Sequence, residues 1–274
     1  MPVGMLIDTT KCILCSRCEN ECHSFYSSIS PDPKFPNSLL KDKRLVGTDQ
    51  KPELDANHFV VLKSYEVSTP NGTKVVGVSK RCLHCFNPAC VSVCPVAALH
   101  KTDEGPVVWD EGRCIGCRYC QNACPFEIPK FEFASAWPKI QKCIFCHDRR
   151  LLKGLNPVCA DVCPTQAIRF GERADLVAIA HQRIADNPQT YFDHVYGETE
   201  VGGTLKMYIG AVDMLQLGFP KTETEMYPAY THEFLSRIPV EIAGLALFLG
   251  AVYTFRSRRM AAANKDNSHN EKRG

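Results

Sequence analysis

Residues 114–125 read CIGCRYCQNACP, with four cysteines at C-x₂-C-x₂-C-x₃-C-P spacing. Two-residue gaps place the first three thiols on successive backbone turns that can wrap one small object, leaving turn N–H groups free to point at bridging sulfides. The proline stops the short helix and redirects the chain, so the fourth thiol is carried away from the other three. A tetrahedral zinc site favours two pairs separated by a loop, and disulfides across two-residue gaps are strained. The spacing points instead to iron–sulfur clusters, with the fourth cysteine ligating a neighbouring cluster.

The remaining cysteines extend this reading. Sixteen occur in 274 residues, all in four groups of four. The first is Cys12, Cys15, Cys18 and Cys22; the second is Cys82, Cys85, Cys90 and Cys94. The third is Cys114, Cys117, Cys120 and Cys124, and the fourth is Cys143, Cys146, Cys159 and Cys163. The N-terminal MPVGMLIDTTKC lacks a basic segment followed by an apolar run, which favours metal clusters over a secreted disulfide scaffold. A net charge of +2 gives no global attraction to nucleic acid. The chain also lacks a nucleophile–base constellation, a GxGxxG loop and a P-loop.

Internal repeats pair the groups. GMLIDTTKC before group one matches GPVVWDEGRC before group three, and CPVAALHKTDE after group two matches CPTQAIRFGER after group four. Groups two and three then form one two-cluster ferredoxin. Groups four and one form a second, its halves swapped in chain order and the first inserted between them. The sharing rule assigns Cys12, Cys15, Cys18 and Cys163 to one [4Fe–4S] cluster, and Cys22, Cys143, Cys146 and Cys159 to a second. A third takes Cys82, Cys85, Cys90 and Cys124, and a fourth takes Cys94, Cys114, Cys117 and Cys120. The competing arrangement closes each group on its own cluster. A zinc-stabilised, membrane-tethered scaffold is the alternative from a different class. His23, His84 and His147 lie beside ligand cysteines and are expected to pack or hydrogen bond locally. Ile13, Leu14, Leu83, Ile115, Ile144 and Phe145 are expected to form a dry shell around the clusters.

The fold class is therefore α+β: two pseudo-symmetric ferredoxin-like modules, one inserted in the other, with a C-terminal transmembrane helix. Residues 1–26 and 131–172 make the outer module and 80–130 the inner one. Residues 27–79 are an insertion, polar and proline-rich at SISPDPKFPNS, with a surface hairpin facing a partner. Residues 173–236 hold a helix over 172–186, with Leu176, Val177, Ile179, Ala180 and Ile184 on its apolar face, followed by a packing arm. Residues 237–257 make the membrane helix, since IPVEIAGLALFLGAVYTF carries Glu241 as its one charge, near Pro239 in the first turn. The tail, 258–274, is basic. Six Lys/Arg from Arg256 onward, against Lys221 and Arg237 before the span, place the tail in the cytoplasm and the head in the periplasm. An exported head without its own signal implies a partner carrying a twin-arginine signal.

The cysteine groups, GMLID, VSVCPVAAL, CIGCRYCQNACPF, AIRFGER, VGGTLKMYIG and the C-terminal apolar stretch resemble the iron–sulfur beta subunit of membrane-bound respiratory formate dehydrogenase. The iron–sulfur subunit of quinone-linked nickel–iron hydrogenases is similar over the same span. Subunits of nitrate, polysulfide and dimethyl sulfoxide reductases share the cysteine framework. The resemblance implies an electron relay with no substrate chemistry of its own. Its catalytic partner would be a molybdenum or tungsten pterin formate dehydrogenase, or the large and small subunits of a [NiFe] hydrogenase. Its other partner would be a cytochrome b or other quinone-reactive subunit in the inner membrane. It further implies that the Cys12 cluster lies nearest the catalytic subunit and the inner pair nearest the membrane. Group one departs from the pattern, with His23 where proline follows the other fourth cysteines.

Overall fold

The computed structural model describes residues 2–27, 53–69, 72–133 and 140–271. Contacts divide the chain into two units, Met1–Pro228 and Ala229–Gly274.

In the first unit, strand β1 (Val3–Asp8) runs into a 3-10 turn at Thr9–Lys11 and then Cys12. It is the middle of a three-stranded sheet, antiparallel to β8 (Ile168–Glu172) and parallel to β9 (Lys206–Ile209). The strand alternation sorts its apolar side chains onto two faces. Leu6 packs with Leu176, Ala180 and Ile184 of helix α5 (Arg173–Asp186), while Met5 and Ile7 enter a larger core with Phe145, Leu205 and Tyr208. Cover on both faces explains why β1 reads as an unbroken apolar run.

Around group three the same sequence of local structures recurs with less cover. Strand β4 (Leu99–Lys101) pairs antiparallel with β5 (Val107–Trp109), a 3-10 turn follows at Glu111–Arg113, and Cys114 comes next. Asp8 and Asp110 each cap their turn with a carboxylate oxygen. Short helices α2 (Ala89–Ser92) and α4 (Val158–Asp161) carry Cys90 and Cys159, each following a proline. Helices α1 (Arg17–Ser27) and α3 (Tyr119–Ala123) carry Cys18 with Cys22, and Cys120.

Two expectations are corrected. The hairpin of β2 (Val60–Thr69) and β3 (Gly72–Arg81) is exposed at residues 72–75 but enters the core along much of its length. Val60, Val61, Val67, Val76 and Val78 are buried, and Leu62 N–H donates to Glu19 of α1. Its β-branched residues alternate because one face meets the core. Pro70 and Asn71 of the TPNGT turn and the whole SISPDPKFPNS segment fall outside the described residues. The packing arm is likewise core: Tyr196, Leu205, Tyr208, Met214 and Leu217 are fully buried with Met5 and Phe145. Two very short strands, β6 (Lys130–Phe131) and β7 (Ile140–Gln141), pair on either side of residues 134–139.

The described residues of the second unit lie within helix α6 (Tyr227–Glu271), which contains Pro239. Residues Tyr227–Ala261 are long and apolar enough to cross a membrane, and the apolar window is wholly exposed. The helix is therefore longer than the 237–257 expected, since periodic apolar content marks a span but not where its helix ends.

Candidate iron–sulfur sites

Cys12, Cys15, Cys18 and Cys163 line one concavity, enclosing about 420 Å³ of atom-free space continuous with solvent. Cys94, Cys114, Cys117 and Cys120 line another, of about 320 Å³, beside Leu99, Trp109 and Ile140. Burial pushes Cys22 well above the usual thiol range, and Cys143, Cys159 and Cys146 push it further. Cys85 is raised likewise by burial and then by Cys82, Cys124 and Cys90. Each of the two concavities thus combines three cysteines of one run with the fourth of another.

The backbone suits a bridging-sulfide ligand. Leu14 and Ser16, two and four residues after Cys12, have φ of 58° and 55°. Gly116 and Arg118, at the same offsets from Cys114, have 68° and 65°. His84 and Phe145, two residues after Cys82 and Cys143, have 54° and 63°. Left-handed conformations cost non-glycine residues of order 1 kcal/mol each and persist where the surroundings demand them. Alternation with right-handed residues forms concave nests of N–H groups, a known arrangement for iron–sulfur sites. Among the described residues no group of three or more His, Cys, Asp or Glu is set to hold a single metal ion. Four thiols lining one concavity of this size fit a cluster, whose irons each meet one thiolate.

A family model described as a 4Fe–4S dicluster domain matches residues 73–173, and a second of the same description matches residues 11–98. The chain is 38% identical over 265 residues to a protein of Nitratidesulfovibrio vulgaris, covering 96% of this chain and 69% of that one. It is 32% identical to the hydrogenase-2 operon protein HybA of Escherichia coli O157:H7, covering 81% and 74%. Against the nitrate-inducible formate dehydrogenase iron–sulfur subunit of E. coli K12 it is 32% identical, covering 76% and 67%. This chain belongs to the family of 4Fe–4S electron-transfer subunits of respiratory oxidoreductases.

In this subunit, two dicluster domains and sixteen cysteines fit four [4Fe–4S] clusters. Burial sets the thiols' charge: Cys18, Cys124 and Cys146 are pushed up to about 11, and Cys90 and Cys120 to about 12. Cys143 is the exception. Burial raises it too, but Lys206, the Phe145 N–H and Lys142 together hold it below the ordinary thiol value. Lys206 Nζ donates to Cys143 Sγ at 3.2 Å and sits 4.4 Å from the Phe145 ring centre.

Sequence reasoning passed over the buried cations. Arg81 and Lys206 are 1% exposed and Lys142 3%. Lys142 donates to the carbonyls of Val107 and Cys143, and Arg81 reaches Met5 sulfur at 3.8 Å, with its Nε and Nη2 unpartnered. A signal existed. Lys11, Arg81, Arg113 and Lys142 each precede the first cysteine of a group. Only burial, with Lys11 and Arg113 exposed, separates the two kinds.

The histidines pack locally, as expected. His84 Nδ1 accepts from Val107 N–H at 3.0 Å, and burial followed by Lys206, Lys142 and Lys101 pushes the ring well below its ordinary pKa. His147 meets Glu104 at 3.0 Å, and His23 stacks on His58. Leu83 and Phe145 are buried, whereas Ile13 and Ile115 are 61% and 65% exposed, which places those two at the cage mouths rather than in a dry shell.

Proposed function

We propose that the subunit carries four [4Fe–4S] clusters and relays electrons between a catalytic subunit and a quinone-reactive membrane subunit. The observation that carries this reading is that Cys12, Cys15 and Cys18 share a concavity with Cys163, and Cys114, Cys117 and Cys120 share another with Cys94. The ligand sets are Cys12, Cys15, Cys18 and Cys163; Cys22, Cys143, Cys146 and Cys159; Cys82, Cys85, Cys90 and Cys124; and Cys94, Cys114, Cys117 and Cys120. The recurrence of strand, 3-10 turn and left-handed residues around Cys12 and Cys114 supports two pseudo-symmetric modules, the inner inserted in the outer. Each cluster, when bound, takes up and returns one electron. The chain's own residues hold the clusters, exclude water from their inner faces and fix the surrounding charge.

The clusters of Cys12 and Cys114 open to solvent beside Ile13 and Ile115, and both exposed mouths suit docking of electron partners. The sequence reading placed formate dehydrogenase first as donor. The wider coverage against the hydrogenase-2 protein favours a hydrogenase instead. Helix α6 anchors the subunit in the inner membrane by a single pass, with the head periplasmic and the basic tail cytoplasmic. Membranes from the native host, solubilised without oxygen, test the donor. Hydrogen should bleach the cluster absorbance of the co-purified complex and formate should not; the reverse outcome restores formate dehydrogenase. A phosphatase reporter fused after Gly274 that is active in the periplasm would overturn the orientation.

A further inference from the structure

The buried cations are distributed across the modules. Arg81, at the start of the inner module, acts on thiols of the outer one, namely Cys159, Cys18 and Cys143. Lys142, just ahead of group four, acts on Cys90 and Cys124 of the inner one. Arg81 therefore lies against the site of the other module, while Lys142 faces thiols of both. Arg81, Lys142 and Lys206 form no ion pair with a carboxylate among the described residues. A buried charge is costly without a counter-charge, and the anionic cluster–thiolate assemblies are what these three face.

Among the described residues Lys206 has no counterpart in the inner module. It arrives on β9, the strand parallel to β1, whereas the β4–β5 sheet has two strands only. The nearest inner equivalent, Lys101, donates to the Cys85 and Phe86 carbonyls and not to sulfur. Reduction adds one negative charge to a cluster. A fixed ammonium bonded to a ligand sulfur stabilises that reduced form, and charge and hydrogen bonds to sulfur set cluster potentials.

Building on the four-cluster reading, we infer that Lys206 tunes the Cys22/Cys143/Cys146/Cys159 cluster to the most positive potential of the four, making it the electron reservoir of the relay.

The test is an EPR-monitored redox titration of the anaerobically purified complex, unmodified and with Lys206→Met, Lys206→Gln and Lys206→Arg. Lys206→Met should lower the most positive of four one-electron steps, with a tenfold loss in its reduced-to-oxidised ratio, about 59 mV. The other three steps should hold, and Lys206→Arg should restore the first. Lys206→Gln, a donor without charge, should behave like Lys206→Met. Loss of one cluster in both neutral variants with retention in Lys206→Arg also supports the assignment, since charge then decides whether the cluster is held. Unmoved steps in a fully loaded neutral variant, a uniform shift of all four, a shift in any step but the most positive, or loss of the cluster in Lys206→Arg as well would overturn it. An unmodified complex with about eight irons per chain would overturn the four-cluster reading itself, before any variant is made.

Discussion

Asp8 and Asp110 hold the same place in two stretches that share one local structure, yet their surroundings differ. Each ends a strand and caps the 3-10 turn that delivers a ligand cysteine. Asp8 is completely buried, bonded to Arg183 and to the Tyr191 hydroxyl at 2.8 Å each, and to Thr10. Asp110 is part-exposed, with the Gly112 N–H and a solvent-facing Arg113 for partners. The difference comes from residues 173–220, which lay α5, β9 and their connecting turns over the Cys12 side only. The cysteine spacing thus sets the local cage in both regions, while the later chain decides how dry and how charged each cage is.

The most severe way to break the comparison is to remove a crossing ligand. Cys22→Ala should cost one whole cluster, about four irons per chain, and the signal lost should be the one that Lys206 perturbs. Loss of the Cys12 cluster instead would show that group one closes on itself. Next in size, Asp8→Ala strands the largely buried Arg183 and should lower unfolding free energy by about 3 kcal/mol, read from denaturant unfolding of the loaded subunit. Gly77→Ala follows. A methyl there would meet Leu14 Cδ2 at 2.6 Å and Cys12 Sγ at 2.9 Å, so about 1–3 kcal/mol of overpacking should appear, with broadening of the Cys12 cluster's EPR signal. Smallest is Asp110→Ala, a cap in water, at about 1 kcal/mol. Equal losses at Asp8 and Asp110 would mean that the extra cover over the Cys12 side contributes nothing.

The cages themselves were legible because ligand spacing is a local property: three thiols on neighbouring turns and a proline-directed fourth need no tertiary knowledge. Helix α5 and the apolar C-terminal helix were legible from periodicity and length. The burial of the β2–β3 hairpin was not, since alternating valines look the same whether the second face meets a core or a partner. Nor was the core role of residues 187–220, whose apolar side chains sit on short turns and isolated bridges with no period to detect. Lys206 was hidden most completely. In VGGTLKMYIG it reads as one charge on a strand, and only the parallel pairing of β9 with β1, set by residues two hundred positions apart, brings its ammonium to Cys143.

The central claim is that four cages hold four cubane clusters shared across distant runs. Iron and acid-labile sulfide analysis of the anaerobically purified chain, paired with EPR spin counting after full reduction, tests it most directly. Four cubanes require about sixteen irons, an equal number of sulfides and about four spins per chain. About eight irons, or thiol-bound zinc in their place, would contradict it.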